Sequence, residues 1–136
     1  MKTIPVTLLL LCTFACFALG GAEEDVTNAA QRFYDGYMEV LNENKDPKKW
    51  VLNSEGVTPA FKKAYTAYMK EPADPIICGQ DYPAAGFNAS PDSVKGDRAT
   101  VRLISRDPSF AHTFTATFVH KGGKWLLAGT DDIKAK

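Results

Sequence analysis

The chain is 136 residues long, 45% hydrophobic and 24% charged, and its sixteen basic and sixteen acidic side chains cancel to no formal net charge. That length fits one domain around one core and argues against two. The charge balance excludes an electrostatic nucleic-acid binder, which needs Lys and Arg in excess on one face, and also an acidic disordered tail protein.

Residues 1–22 read as an export leader. Lys2 supplies a positive start, an apolar run extends from Ile4 to Leu19, small residues follow as Gly20-Gly21-Ala22, and acids begin at Glu23. Positive start, apolar middle and small-residue exit are the features of a secretory signal. Cleavage fits after Gly20 or Ala22, with Ala22 preferred. A retained anchor is the competing reading, because Ile4–Ala22 nearly reaches the length of a bilayer span; Pro5 and the small-residue exit speak against it. Lipid modification at Cys16 is less favoured, since the aliphatic residue usual three positions earlier is missing. The expected product is one domain over residues 23–136, periplasmic or secreted, with no stable membrane span after the leader is removed. Cys78 is then its single cysteine, so no internal disulfide is expected.

In chain order, Val26, Ala30, Phe33, Tyr37 and Val40/Leu41 recur at three- and four-residue steps and predict a helix over about 24–44. Asn42 to Pro47 carries turn chemistry that ends it. Residues 48–57 read as irregular, with Trp50, Val51 and Leu52 as an apolar patch. Thr58-Pro59 is an N-cap followed by proline at the first helical position, and predicts a second helix that stops at Glu71-Pro72. Ile76-Ile77-Cys78 reads as a short strand or a buried extended loop, and 82–92 as loop. The last third is β: a strand over 98–105 with both faces partly buried, a strand over 110–120, a Lys121-Gly122-Gly123-Lys124 hairpin, a return strand over 125–128 and a frayed tail at 134–136. Helices first and strands afterwards predict an α+β domain, two N-terminal helices packed on a curved antiparallel sheet.

Several stretches carry a family likeness. They are Phe33-Tyr34 with Tyr37, Val57-Thr58-Pro59-Ala60-Phe61, Asp74-Pro75-Ile76-Ile77-Cys78-Gly79-Gln80-Asp81, the strand from Ala99 to Leu103, and Gly123-Lys124-Trp125 leading to Asp131-Asp132-Ile133. Together they resemble the bacterial domain-of-unknown-function family 3828, of the nuclear-transport-factor-2-like superfamily. The resemblance implies a cone-shaped fold and an exported location, and by analogy a homodimer paired through its sheets. It implies no activity, because the superfamily hosts isomerases, dehydratases and plain binding modules. The chain departs from the family in carrying Ala128-Gly129-Thr130 between its last apolar strand and the acidic pair. Either the strand runs longer or Gly129 marks a bulge.

Signatures of common catalysts are absent from the sequence: no GxSxG, HExxH, CxxC or GxxxxGK[ST]. No cofactor is expected. No metal is expected either, since His112 and His120 on one strand would stand about 25 Å apart. Asp81, beside Gln80 and Tyr82, is the best polar candidate; a carboxylate in an apolar cone can gain a raised pKa and act as a proton-transfer base, with His112 as partner. The commoner alternative has Gln80 and Asp81 capping backbone groups of their loop, and His112 a satisfied, half-buried histidine beside Phe114. Tyr34, Tyr37, Tyr65, Phe114 and Trp125 are candidates to line a concave pocket with Gln80, Asp81, Tyr82 and His112, against the plainer expectation that aromatic rings fill the core. The expected function is a non-enzymatic binding protein of the bacterial cell envelope, for a small molecule or another envelope protein. The alternatives are a small enzyme using Asp81 and His112, and an immunity or inhibitor protein acting on an envelope toxin or hydrolase.

Overall fold

The computed structural model describes the backbone of residues 11–68 and 72–136 and the side chains of residues 21–68 and 72–136. The leader reading of residues 1–22, with Cys12 and Cys16, lies almost wholly outside the described side chains. The element order is α1 (Leu11–Asn42), α2 (Pro47–Asn53), α3 (Pro59–Ala67), β1 (Phe87–Lys95), β2 (Arg98–Ser105), β3 (Thr113–Lys121) and β4 (Lys124–Thr130). The four strands form one antiparallel sheet in the order β1-β2-β3-β4. The class is α+β, as the order of periodicities predicts, with one more helix and one more strand than the patterns reveal. No helix among the described residues is long and apolar enough to cross a membrane.

The extra helix, α2, occupies a segment read as irregular. The Asp46 side chain accepts a hydrogen bond from the Lys49 N–H at 3.2 Å and Pro47 takes the first helical position. The same Asp46-Pro47 pair that ends one helical pattern therefore opens the next. The helix after it, α3, starts as expected, with the Thr58 hydroxyl oxygen accepting from the Phe61 N–H at 3.1 Å, but it ends at Ala67 with Tyr68 as its C-cap. Its expected stop at Glu71 falls on residues 69–71, outside those described.

The extra strand, β1, includes most of a stretch read as loop because of its prolines. Pro91 sits where the β1–β2 register shifts, between Pro91 and Ser93. As an edge strand, β1 tolerates a residue without an N–H at that bulge. Helix α1 closes the first part of this edge through Gln31, whose amide donates to Phe87 O at 2.8 Å and accepts from the Ala89 N–H at 2.8 Å. Strand β4, the other edge, is covered by the α2–α3 loop: Thr58 N–H donates to Leu127 O at 3.0 Å, and Leu127 N–H to Gly56 O at 2.8 Å. Both edges are thereby partly shielded from a foreign strand.

Three further expectations are corrected. β3 begins at Thr113 rather than Phe110, so His112 sits just before the strand. β2 buries one face only: Ala99, Val101 and Leu103 are buried, whereas Arg102 and Ile104 on the other face stand exposed. The tail is not frayed throughout. Ile133 is buried, its carbonyl accepts from the Thr130 N–H at 2.7 Å, and Ala135 lies against Gly129, where a Cβ would stand 2.6 Å from the Ala135 nitrogen. β4 accommodates Ala128-Gly129-Thr130 by running to Thr130 and shifting register between Leu127 and Gly129. The β3–β4 turn is as expected, with Gly122 and Gly123 at φ +58° and +78° between the paired Lys121 and Lys124.

The core lies between α1 and the inner face of the sheet. Val26, Ala30, Phe33, Tyr34 and Tyr37 from α1 meet Phe87, Val101, Leu103, Phe114, Phe118 and Leu127, with Phe61 from α3. Tyr34 packs edge-on to Phe114 at 5.4 Å, and Phe114 edge-on to Phe87 at 5.2 Å. Such pairs add about 0.5–1.5 kcal/mol each beyond the area they bury.

Candidate functional site

Two of the tyrosines expected to line a hollow, Tyr34 and Tyr37, are inside the core, whereas Tyr65 is half-buried and Tyr82 exposed. Tyr34 and Tyr37 have no exposure at all. The Tyr34 hydroxyl donates to Ile76 O at 2.9 Å, and the Tyr37 hydroxyl donates to an Asp74 carboxylate oxygen. Asp74 also accepts from the Ile76 N–H at 2.8 Å, and its backbone pairs with Gly79 through N–H to O bonds of 2.8 and 3.3 Å. Ile76-Ile77-Cys78 is therefore the interior of a closed turn, neither a strand nor an extended loop, although Ile76 and Ile77 are buried as the loop alternative expects. Cys78 takes a left-handed φ of +53° in this turn, uncommon without glycine.

The electrostatics of this cluster follow from burial. Burial, aided by the Asp74 carboxylate, pushes the Tyr37 phenol far above its ordinary value and the half-buried Tyr65 up to about 12. Burial likewise raises Tyr34. The Asp74 carboxyl is raised by burial, against the Tyr37 hydroxyl and the Ile76 and Ile77 N–H groups that favour its charge. Burial raises the Cys78 thiol, whose Sγ donates to Pro75 O at 3.7 Å, and so keeps it protonated at neutral pH and a poor nucleophile. The Tyr34 and Tyr37 phenols are neutral donors that fasten the turn to α1.

The other candidates are scattered. His112 is half-buried, its Nε2 lies 2.7 Å from Ile77 O, and its ring stands 5.5 Å from Phe114 and 6.1 Å from Phe87. Phe114 itself is buried. Gln80 and Asp81 are exposed in the loop after the turn, and the Tyr82 hydroxyl reaches Leu41 O at 3.2 Å. The shallow groove that His112 lines, with Asp107 and Pro108, does not include Asp81. Trp125 is half-buried and belongs to a different place.

That place is an open cleft of about 620 Å³ between the middle of α1, from Asp25 to Phe33, α2 with the α2–α3 loop, and the β3–β4 hairpin. Its size falls within the ordinary span of small-ligand sites, about 300–1,000 Å³. Helical spacing puts Asp25, Asn28 and Arg32 along one wall. Trp50 and Phe33 form the base, with rings 5.3 Å apart, and Trp125 with His120 form the opposite wall, with rings 5.0 Å apart. Glu55 and Lys124 face each other across the mouth, carboxylate to ammonium at 3.9 Å. Both are well exposed, so this pair is weak and readily opened.

Trp50 is placed by Gly36. A Cβ on Gly36 would stand 3.0 Å from the Trp50 ring, so the indole lies directly on bare helix backbone. Gly36 is thus what lets α2 seat its tryptophan. Of the sequence candidates only Trp125 reaches this cleft; Trp50, Arg32 and His120 were missed. One available signal was that the chain has just two tryptophans, and both are here. No group of three or more His, Cys, Asp or Glu residues suited to a metal occurs among the described residues. Comparison with protein-family models, with curated proteins and with solved structures finds no match to this chain.

Proposed function

We propose that this chain is an exported small binding protein of the bacterial cell envelope, non-enzymatic, with its ligand seated in the cleft between α1 and the β3–β4 hairpin. One observation carries the reading: both tryptophans of the chain converge with His120 on one open hollow of about 620 Å³. Half-exposed aromatic rings are costly to leave in water, and a concave site edged with polar groups is where a ligand recovers that cost. Export rests on the leader pattern of residues 1–22. The cone-shaped fold of the nuclear-transport-factor-2-like superfamily is part of the same proposal, supported by the meander sheet and the long helix across it.

The test is to express the full chain with its own leader, recover it from the envelope fraction, and identify by mass spectrometry both its N-terminus and what co-purifies. An N-terminus at Glu23 or Gly21, and a small molecule held by the wild type but lost from Trp125→Ala, are the expected results. A stoichiometric protein partner that Trp125→Ala retains would replace this reading with the inhibitor one.

A further inference from the structure

We infer that the ligand of this cleft is a neutral saccharide, one sugar ring stacked by its C–H face on an indole. This rests on the cleft being the binding site, and it adds the ligand's chemistry.

Charge narrows the class first. The lining carries Asp25 and Glu55 against Arg32 and Lys124, two of each sign, so it offers no net attraction to an anion or a cation. A nucleotide or an acidic peptide would meet a repelling carboxylate for every attracting base. A hydrocarbon chain fits no better. It would cover Asn28, Ser54 and the four charged groups while giving them no hydrogen bonds, which is unfavourable for each group buried. What remains is a ligand that is uncharged, flat and apolar on one side, and rich in hydroxyls around its edge. A sugar ring has that form. Its axial C–H face covers an aromatic ring, and its equatorial hydroxyls both donate and accept, as carboxylates, an amide and an Arg fork require.

The fold holds the aromatic surfaces ready. Trp50 is fixed from behind by the Gly36 backbone and by Phe33 and Tyr37, with ring centres at 5.3 and 5.8 Å. Trp125 is steadied by His120 across the β3–β4 pair. Little ordering is left to occur on binding, which favours a weakly attracting neutral ligand. The hairpin contributes Gly123, where nothing lies within 4 Å of a Cβ position, so the mouth beside Trp125 stays clear.

The chain has two tryptophans and both line the cleft; Trp50 also borders a neighbouring hollow with Val40 and Asp46, so the Trp125 variants assign an emission change to this site. The purified protein is titrated with cellobiose, maltose and N,N′-diacetylchitobiose, and in parallel with AMP, glucose 6-phosphate and glutamate. The expected result is a saturable change in emission with at least one neutral disaccharide, and saturation-transfer NMR signals concentrated on its ring C–H protons. Affinity should fall at least tenfold in Trp125→Ala and stay within a few-fold in Trp125→Phe, which keeps a stacking face; should Trp125→Ala not fold, Trp125→Leu replaces it. Saturable binding only of the charged compounds, still sensitive to Trp125→Ala, would overturn the saccharide and leave the cleft as the site. Emission indifferent to every compound would overturn both.

Discussion

Asp74 is the residue at which burial and charge compete most openly. It lies in the wall of the core, it accepts from Tyr37 and Ile76, and burial still leaves its carboxyl raised above the ordinary aspartate value of 3.8. The folded chain then holds the Asp74 proton more tightly than the unfolded chain does. Its contribution to stability is complete below the ordinary aspartate value and is lost as pH rises through the raised one. Asp74→Asn keeps an oxygen for the Ile76 N–H and cannot titrate. The melting temperature of the wild type relative to Asp74→Asn should therefore decline with rising pH across that acidic window, followed by far-UV circular dichroism. A difference that stays flat from pH 3 to pH 7 would contradict this account. Cys78 is the contrasting case at this scale. Its left-handed backbone and half-buried thiol belong to the turn that Asp74 closes, and the His112 Nε2 is engaged by Ile77 O.

Among the elements, the contact of α1 with β1 is made specific by one side chain. Gln31 uses both ends of its amide on the strand edge, donating to Phe87 O and accepting from Ala89 N–H, and so completes the part of β1 that has no neighbouring strand. Gln31→Ala leaves that N–H and C=O without protein partners in a partly covered position. The expected loss is about 1–3 kcal/mol, read from urea unfolding, together with faster hydrogen exchange at Ala89 than at β2 amides. Unchanged exchange at Ala89 would show that the helix does not seal this edge. The same reasoning explains why β1 escaped detection. Its pattern is mostly exposed, with Pro91 inside it, so alternation never emerges; only the long-range pairing with β2 makes it a strand.

For the whole molecule, one core serves every element. Phe61 of α3, Trp50 and Val51 of α2, the aromatic stripe of α1 and the inner sheet face all belong to it or pack against it. The described chain should then unfold as one cooperative unit. Indole emission reports α2 and β4, far-UV circular dichroism reports all elements, and the two urea transitions should share a midpoint. An earlier fluorescence transition would mean that the cleft opens as a separate unit. Coincidence also matters for the saccharide experiment, since it ties any emission change in native buffer to the cleft and not to partial unfolding.

The features legible from neighbouring residues are local ones. The three- and four-residue stripe of α1, the Thr58-Pro59 start of α3, the alternation around Phe114 to Phe118 and the Gly122-Gly123 turn are each written in neighbouring residues, because helix period, strand period and turn dihedrals are short-range constraints. Class and the β2-β3-β4 adjacency follow from these. The choice between a tyrosine in the core and a tyrosine in a pocket does not, because both need the same residue at the same spacing. The cleft was illegible for the same reason: Arg32, Trp50 and Trp125 lie in α1, α2 and β4, and only the packing of those elements brings them together. Tertiary structure decided the site, since a hollow is a property of surfaces meeting at long range, and no single segment carries its outline.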